Sequence, residues 1–332
     1  MQELFIQHLK KHLPEDQSLI TVIGDILNIN YDAAYRRVNN KTHLSLEETV
    51  ILAKHFKISL NKLFEVGSQS TLIAEKSPKI LDVKGLENYF KTSLQNLEPL
   101  TKLKSASITY SAKDIPLFYT LTDSFLTRYK IYVWLKFLNE DGSMAKTTFE
   151  DFVKQIPNSL LESAFALGET YNYISITEFW NDNTINGTLQ QILYYFETGL
   201  LTKDSAIHIC QDLSNIVDHV EQQTIKQTII NSKNNASYKL YKSDLLTMSN
   251  TIMVKTNHQK VFFTPFTVLT YFKIQHPQTC EEMGLFFQKQ MLNSKLLVNA
   301  GEKDRSMFFN KMHQKIKSVV DRIHIDNNGI VF

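Results

Sequence analysis

Between Leu27 and Tyr31 the chain has only Asn28-Ile29-Asn30 in which to close one helix and open the next. Upstream, Leu19, Ile20, Ile23, Ile26 and Leu27 recur at the three- and four-residue spacing of one helical face, and Ser18 stands where an N-cap belongs. Downstream, Tyr31 to Val38 reads YDAAYRRV, a short helix with Asn30 or Asp32 as its cap and two alanines that permit tight packing. So short a connection leaves room for nothing but a turn between two helices. Gly24 sits mid-helix at a cost of about 1 kcal/mol relative to Ala, sensible where a neighbouring helix must come close to the backbone.

The flanking residues extend the pattern. Gln2 to His12 reads as a helix with Leu4, Phe5, His8, Leu9 and Leu13 on one side and Pro14 at its exit. Asn39-Asn40-Lys41-Thr42-His43 is polar and turn-like. Ser45-Leu46-Glu47-Glu48 is a capping box, and the helix it opens has Leu46, Val50, Ala53 and Phe56 as its expected inner face. Ile58 to Phe64 reads as a further Ser-capped helix, the fifth, with Leu60, Leu63 and Phe64 apolar.

The run LITVIGDILNINYDAAYRRVNNKTHLSLEETVILAKHFKISLNKLF resembles the helix-turn-helix of Xre/Cro-type transcriptional regulators. It is especially similar to a Bacteroidetes group carrying an AYRR helix followed by LSLEE and HFxISLxxLF. The resemblance covers the first fifth of the chain and implies a five-helix, lambda-repressor-like DNA-binding domain over residues 1–66. Two departures stand out: Asn28 replaces the usual turn glycine, and the stretch Asn28 to Val38 is about one residue longer than in phage repressors. Asn tolerates the left-handed conformation such a turn requires.

The resemblance places the third helix in the major groove of double-stranded DNA, with Tyr31, Asp32, Tyr35, Arg36 and Arg37 as candidates for base contacts and Asn30 at the helix start. Gln17 and Ser18, at the second helix's N-terminus, would lie near a phosphate, and Asn39, Lys41 and Thr42 would follow the backbone. Arginine pairs bidentately with guanine O6 and N7, whereas Asp32 either accepts from a cytosine amino group or caps its own helix. Tyr35 either faces the DNA or packs on the second helix. Exposed arginine pairs commonly just solvate a helix or pair with acids. Yet only five of the chain's 36 basic residues are arginines, and two adjoin here, which points to planar, bidentate contacts. One such domain reads a half-site, so a homodimer is expected.

Charge says little by itself. The net charge is +2, and residues 1–66 hold eight basic and eight acidic side chains, unlike a general nucleic-acid coat protein.

Residues 67–80 read as a linker, polar from Gly67 to Thr71 and broken again at Ser77-Pro78. Residues 81–332 read as a helix-rich dimerisation or sensing domain for an unspecified effector, divisible near residue 230. Helices are expected near 85–103, 115–138, 146–154, 158–180, 184–199, 203–223 and from Pro277 to about Asn299. Ser105–Tyr110 reads as a strand, and Thr251–Lys255 with Lys260–Thr264 as a hairpin. The last helix, to about Ile325, has Met312, Ile316, Val319, Val320 and Ile323 as a stripe for either an interface or its own core. The resulting class is mainly α, α+β overall, with a small antiparallel sheet or hairpin.

No catalytic, metal or cofactor motif emerges: there is no phosphate loop, GxGxxG, HExxH or paired CxxC. His208 and His219 would lie about 16 Å apart along one helix, too far to share a metal. Two cysteines supply no disulfide framework, the N-terminus lacks signal-peptide character, and charges interrupt Phe118–Leu138, so a cytoplasmic protein with no membrane span is expected. The functional expectation is a sequence-specific transcriptional regulator. The alternatives are an enzyme or toxin-antitoxin component directed to DNA, and a protein-interaction scaffold that no longer binds DNA.

Overall fold

The structure, a computed structural model, describes residues 1–332 apart from 15–16, 65–71, 141, 233, 246–248, 299–300 and 327–332. The chain divides into two units, Met1–Ile73 and Ala74–Phe332.

The first unit begins with four helices of eight to ten residues: α1 (Gln2–Lys11), α2 (Leu19–Leu27), α3 (Tyr31–Val38) and α4 (Leu46–His55). The expected fifth helix is only a single turn, α5 (Leu60–Phe64), so the unit has a four-helix start rather than five comparable helices. Phe5, Ile6 and Leu9 of α1 pack with Leu19 and Ile23 of α2, Ala34 of α3, and Leu52 and Ala53 of α4. Leu46, expected on the inner face of α4, is 79% exposed. As the first residue after the Ser45 cap it lies before the face that Leu52 and Ala53 present to the core.

The linker expected at 67–80 lies outside the described residues over 67–71, and its later part joins the second unit. There Glu75–Lys76 form strand β1, which pairs antiparallel with the strand at Thr270–Ile274.

The second unit corrects the expected class. In place of a small antiparallel sheet or hairpin it holds one eight-stranded mixed sheet. After β1 the chain runs through α6 (Val83–Thr101) into β2 (Ser107–Ser111). Helices α7 (Phe125–Leu138), α8 (Phe149–Gln155) and α9 (Asn158–Thr170) lead to β3 (Ser175–Trp180). Helices α10 (Asn186–Glu197) and α11 (Lys203–Lys226) lead to β4 (Tyr238–Lys242). A meander of β5 (Thr251–Lys255), β6 (Lys260–Thr267) and β7 (Thr270–Ile274) follows. The unit closes with α12 (Pro277–Leu292), β8 (Lys295–Leu297) and α13 (Glu302–Asp326).

The sheet order is β1-β7-β6-β5-β2-β3-β4-β8. β2, β3 and β4 are parallel, with Ile108 opposite Ile176 and Glu178 opposite Leu240; the remaining pairs are antiparallel. Parallel neighbours need long crossovers, so each appears in the sequence as a lone five- or six-residue segment with no hairpin signal beside it. The helix expected over 158–180 instead ends at Thr170, and the segment beyond it is strand β3, which has no hairpin partner beside it to mark it as a strand. The expected break near residue 230 is absent, because β2 and β3 pair with β5 and β4 across it.

Alternation along β3 divides the core. Ile176 and Trp180 face the large apolar core shared with α6, α7, α9, α10, α11 and α13, while Phe179 faces a smaller cluster with Cys280 and Phe287 of α12. The apolar stripe of α13, including Met312, Ile316, Val319 and Ile323, packs into that large core.

One polar cluster interrupts it. The side chain of Glu178 is fully buried beneath the sheet, with its carboxyl 2.9 Å from the Tyr119 hydroxyl and 3.2 Å from that of Tyr238. The Gln223 amide donates to the Tyr119 hydroxyl at 3.0 Å and accepts from the Ile230 N–H at 3.1 Å. Burial pushes the Glu178 carboxyl up to about 8, opposed by the tyrosine hydroxyls. At neutral pH it is therefore a neutral acid, with both tyrosine hydroxyls in hydrogen-bond contact with its oxygens.

Among the described residues no helix is long and apolar enough to cross a membrane.

Candidate nucleic-acid interface

The turn between α2 and α3 has the geometry its residues favour. Asn28 takes the left-handed conformation, φ 53° and ψ 49°, and the next N–H, of Ile29, bonds back to the Gly24 carbonyl at 3.0 Å. A Cβ on Gly24 would lie 3.2 Å from the Ile29 carbonyl oxygen and 3.8 Å from Ala34 Cβ, which accounts for the glycine. Asn30 then caps α3 by accepting from the Ala33 N–H at 2.9 Å, leaving Asp32 no capping role.

Helix α3 buries Ala34 completely and presents Tyr31, Asp32, Tyr35, Arg36 and Asn39 as one exposed stripe. Tyr31 is 60% and Tyr35 39% exposed, so Tyr35 faces outward. The end of the helix curls over this stripe. The Arg36 carbonyl accepts from the N–H groups of Lys41 at 2.7 Å and Thr42 at 3.2 Å, and the Lys41 ammonium lies 5.3 Å from the centre of the Tyr35 ring. The Asn39 amide is turned back onto the Tyr35 carbonyl at 2.9 Å.

The two neighbouring arginines have separate fates. Arg36 is exposed and has no ion-pair or hydrogen-bond partner for its side chain among the described residues. Arg37, expected beside it at the bases, grips Glu48 of α4: Nε lies 3.0 and 3.1 Å from the two carboxylate oxygens and Nη2 2.7 Å from Oε1. Its Nη1 also donates to the Ala33 carbonyl at 3.2 Å. The same carboxylate accepts from the Ser45 N–H at 2.9 Å, completing the capping box of α4. The Arg37 guanidinium therefore holds the Glu48 carboxyl below the usual carboxylate range, outweighing partial burial.

Gln2 is a framework residue that the sequence did not single out. Its amide nitrogen donates to the carbonyls of Arg37 and Thr42, each at 3.0 Å, and its oxygen accepts from the Leu44 N–H at 2.9 Å. It thereby fastens α1 to the segment that follows α3. No local pattern marks such a glutamine, because its partners lie 35 to 42 residues away.

Gln17 and Ser18 are exposed at the start of α2, where the Ser18 side chain makes no capping bond. All the sequence-derived candidates thus lie on the α2–α3 pair and the turn that follows, and Arg37 alone is committed to another side chain by an ion pair.

Among the described residues no cluster of histidine, cysteine and carboxylate side chains could hold a metal ion, and the nearest such residues of α11 sit among apolar and aromatic groups. Cys210 is buried, its thiol pushed up to about 12 by burial; His208 lies against the Phe125 ring; His219 lies edge-on to Tyr119. Comparison of the chain with protein-family models, curated proteins and solved structures finds no match in any of the three.

Proposed function

We propose that this chain is a sequence-specific DNA-binding transcriptional regulator of the Xre/Cro helix-turn-helix type, placing α3 in the major groove and acting as a homodimer. One observation carries the reading: a short helix, held from behind by Ala34, Arg37–Glu48 and the Asn30 cap, projects a single outward stripe of tyrosine, aspartate and arginine. A rigidly held helix with unpaired donors and acceptors facing out suits base-edge contact. Lys41 beside the stripe, and the N–H groups at the start of α2, suit phosphate contacts that set the register. The second unit would supply dimerisation and effector sensing.

Selection of binding sites from random duplexes with the full-length protein, followed by anisotropy titration across salt concentrations, tests this. The expected result is an enriched motif with two related half-sites about one helical turn apart. The logarithm of affinity should fall with the logarithm of salt by about 0.9 for each phosphate neutralised. Absence of any enriched motif at low salt would favour the protein-interaction scaffold, with which the zero net charge of residues 1–66 is compatible.

A further inference from the structure

Asp32 is an unusual residue to leave exposed on a surface meant for DNA. It has no hydrogen-bond or ion-pair partner among the described residues, and the cap it might have formed is made by Asn30. Arg36 lies four residues on, the spacing of an intrahelical ion pair, yet the two side chains do not pair. Arg37, the other cation of the helix, is held by Glu48. The exposed stripe of α3 therefore presents one free carboxylate and one free guanidinium a helical turn apart, beside the exposed rings of Tyr31 and Tyr35.

We propose that Asp32 and Arg36 are a charge-opposed reading pair, Asp32 selecting a cytosine and Arg36 a guanine in the half-site. This rests on the DNA-binding reading above. A carboxylate is an acceptor only, and it is repelled by phosphates, so it is tolerated in the groove only where a base edge donates to it. Two major-groove edges donate: the N4 amino group of cytosine and the N6 amino group of adenine. Beside the adenine amino group lies the N7 acceptor, which repels a carboxylate, whereas cytosine has a C–H there. Cytosine is the base that fits Asp32. Guanine offers O6 and N7 together, the paired acceptors that suit the Arg36 fork. Four residues advance about 6 Å along a helix, and base pairs are about 3.4 Å apart, so the two selected bases fall within about two steps of one another. In a unit with no net positive charge, Asp32 also weakens attraction to wrong sequences, so specificity is gained at the expense of general affinity.

The test repeats the site selection with full-length wild type, Asp32→Ala, Asp32→Asn and Arg36→Ala, each first confirmed to melt at the wild-type temperature. Wild type should fix two G·C pairs within two steps, each preferred on the order of tenfold or more. Asp32→Ala should flatten one of these positions and strengthen binding to unrelated DNA. Asp32→Asn should move that position toward adenine, whose N6 and N7 match an amide. Arg36→Ala should flatten the other position and weaken binding overall. If wild type enriches a motif and both Asp32 variants enrich it unchanged, the reading pair is wrong while the regulator stands. If wild type enriches nothing, the underlying DNA-binding reading is wrong.

Discussion

Arg37 and Glu48 join α3 to α4 through a two-pronged ion pair, Nη2 to Oε1 at 2.7 Å and Nε within 3.1 Å of both oxygens, with each side chain 19% exposed. The same Glu48 completes the capping box of α4, so one carboxylate fixes both the start of that helix and the end of its neighbour. This pair distinguishes the roles of two adjacent arginines that are indistinguishable in the sequence.

Arg37→Ala should therefore destabilise the first unit by about 1–3 kcal/mol, since it leaves a half-buried carboxylate without its charged donor. Arg37→Lys should recover little, because an ammonium cannot reproduce the fork. Arg36→Ala should change stability by less than about 0.5 kcal/mol. Hydrogen exchange of the α3 and α4 amides in the full-length chain separates the two. Equal loss of protection in both variants would contradict the assignment. A double-mutant cycle with Glu48→Ala measures the coupling directly.

Asn30→Ala removes the acceptor for the Ala33 N–H and should cost about 1 kcal/mol. Asp32→Ala, on the same turn, should be nearly neutral for stability because Asp32 caps nothing. Chemical denaturation followed by exchange within α3 measures both, and the reverse order would show that Asp32 is the working cap.

Glu178 makes the second unit sensitive to alkali. Below about pH 4.5, its ordinary value, the carboxyl is protonated in folded and unfolded chains alike. From there to about pH 8 the unfolded chain releases the proton and the folded chain retains it, so stability falls by about 1.4 kcal/mol per unit before levelling off. Glu178→Gln keeps the shape and cannot ionise. It should remove this decline and be the more stable protein at pH 8. Urea midpoints for the two proteins at pH 5, 6.5 and 8 decide the matter, and parallel curves would refute it.

Gly168 lies where α9 crosses the chain at Leu121. A Cβ there would fall 2.4 Å from the Leu121 carbonyl oxygen and 3.0 Å from its Cβ. Because the clash involves backbone, Gly168→Ala should cost about 1–3 kcal/mol despite the better helix propensity of alanine. An unchanged melting temperature would mean that the contact relaxes at no cost.

What the sequence determined by itself was local. The bounds of α3, the start of α4, the Asn28 turn and the β5–β6 hairpin follow from caps, turn residues and apolar spacing, each a signal within a few neighbouring residues. Tertiary structure alone decided the partners. β2, β3 and β4 pair across helical crossovers, so nothing adjacent in the chain announces their sheet. Tyr119 meets Glu178 across 59 residues, and Gln2 reaches Leu44 across 42. Arg37 finds Glu48 eleven residues on, in the next helix. Local backbone preferences act over a turn or two, whereas the choice between a free and a committed side chain depends on which distant groups packing brings within about 3 Å.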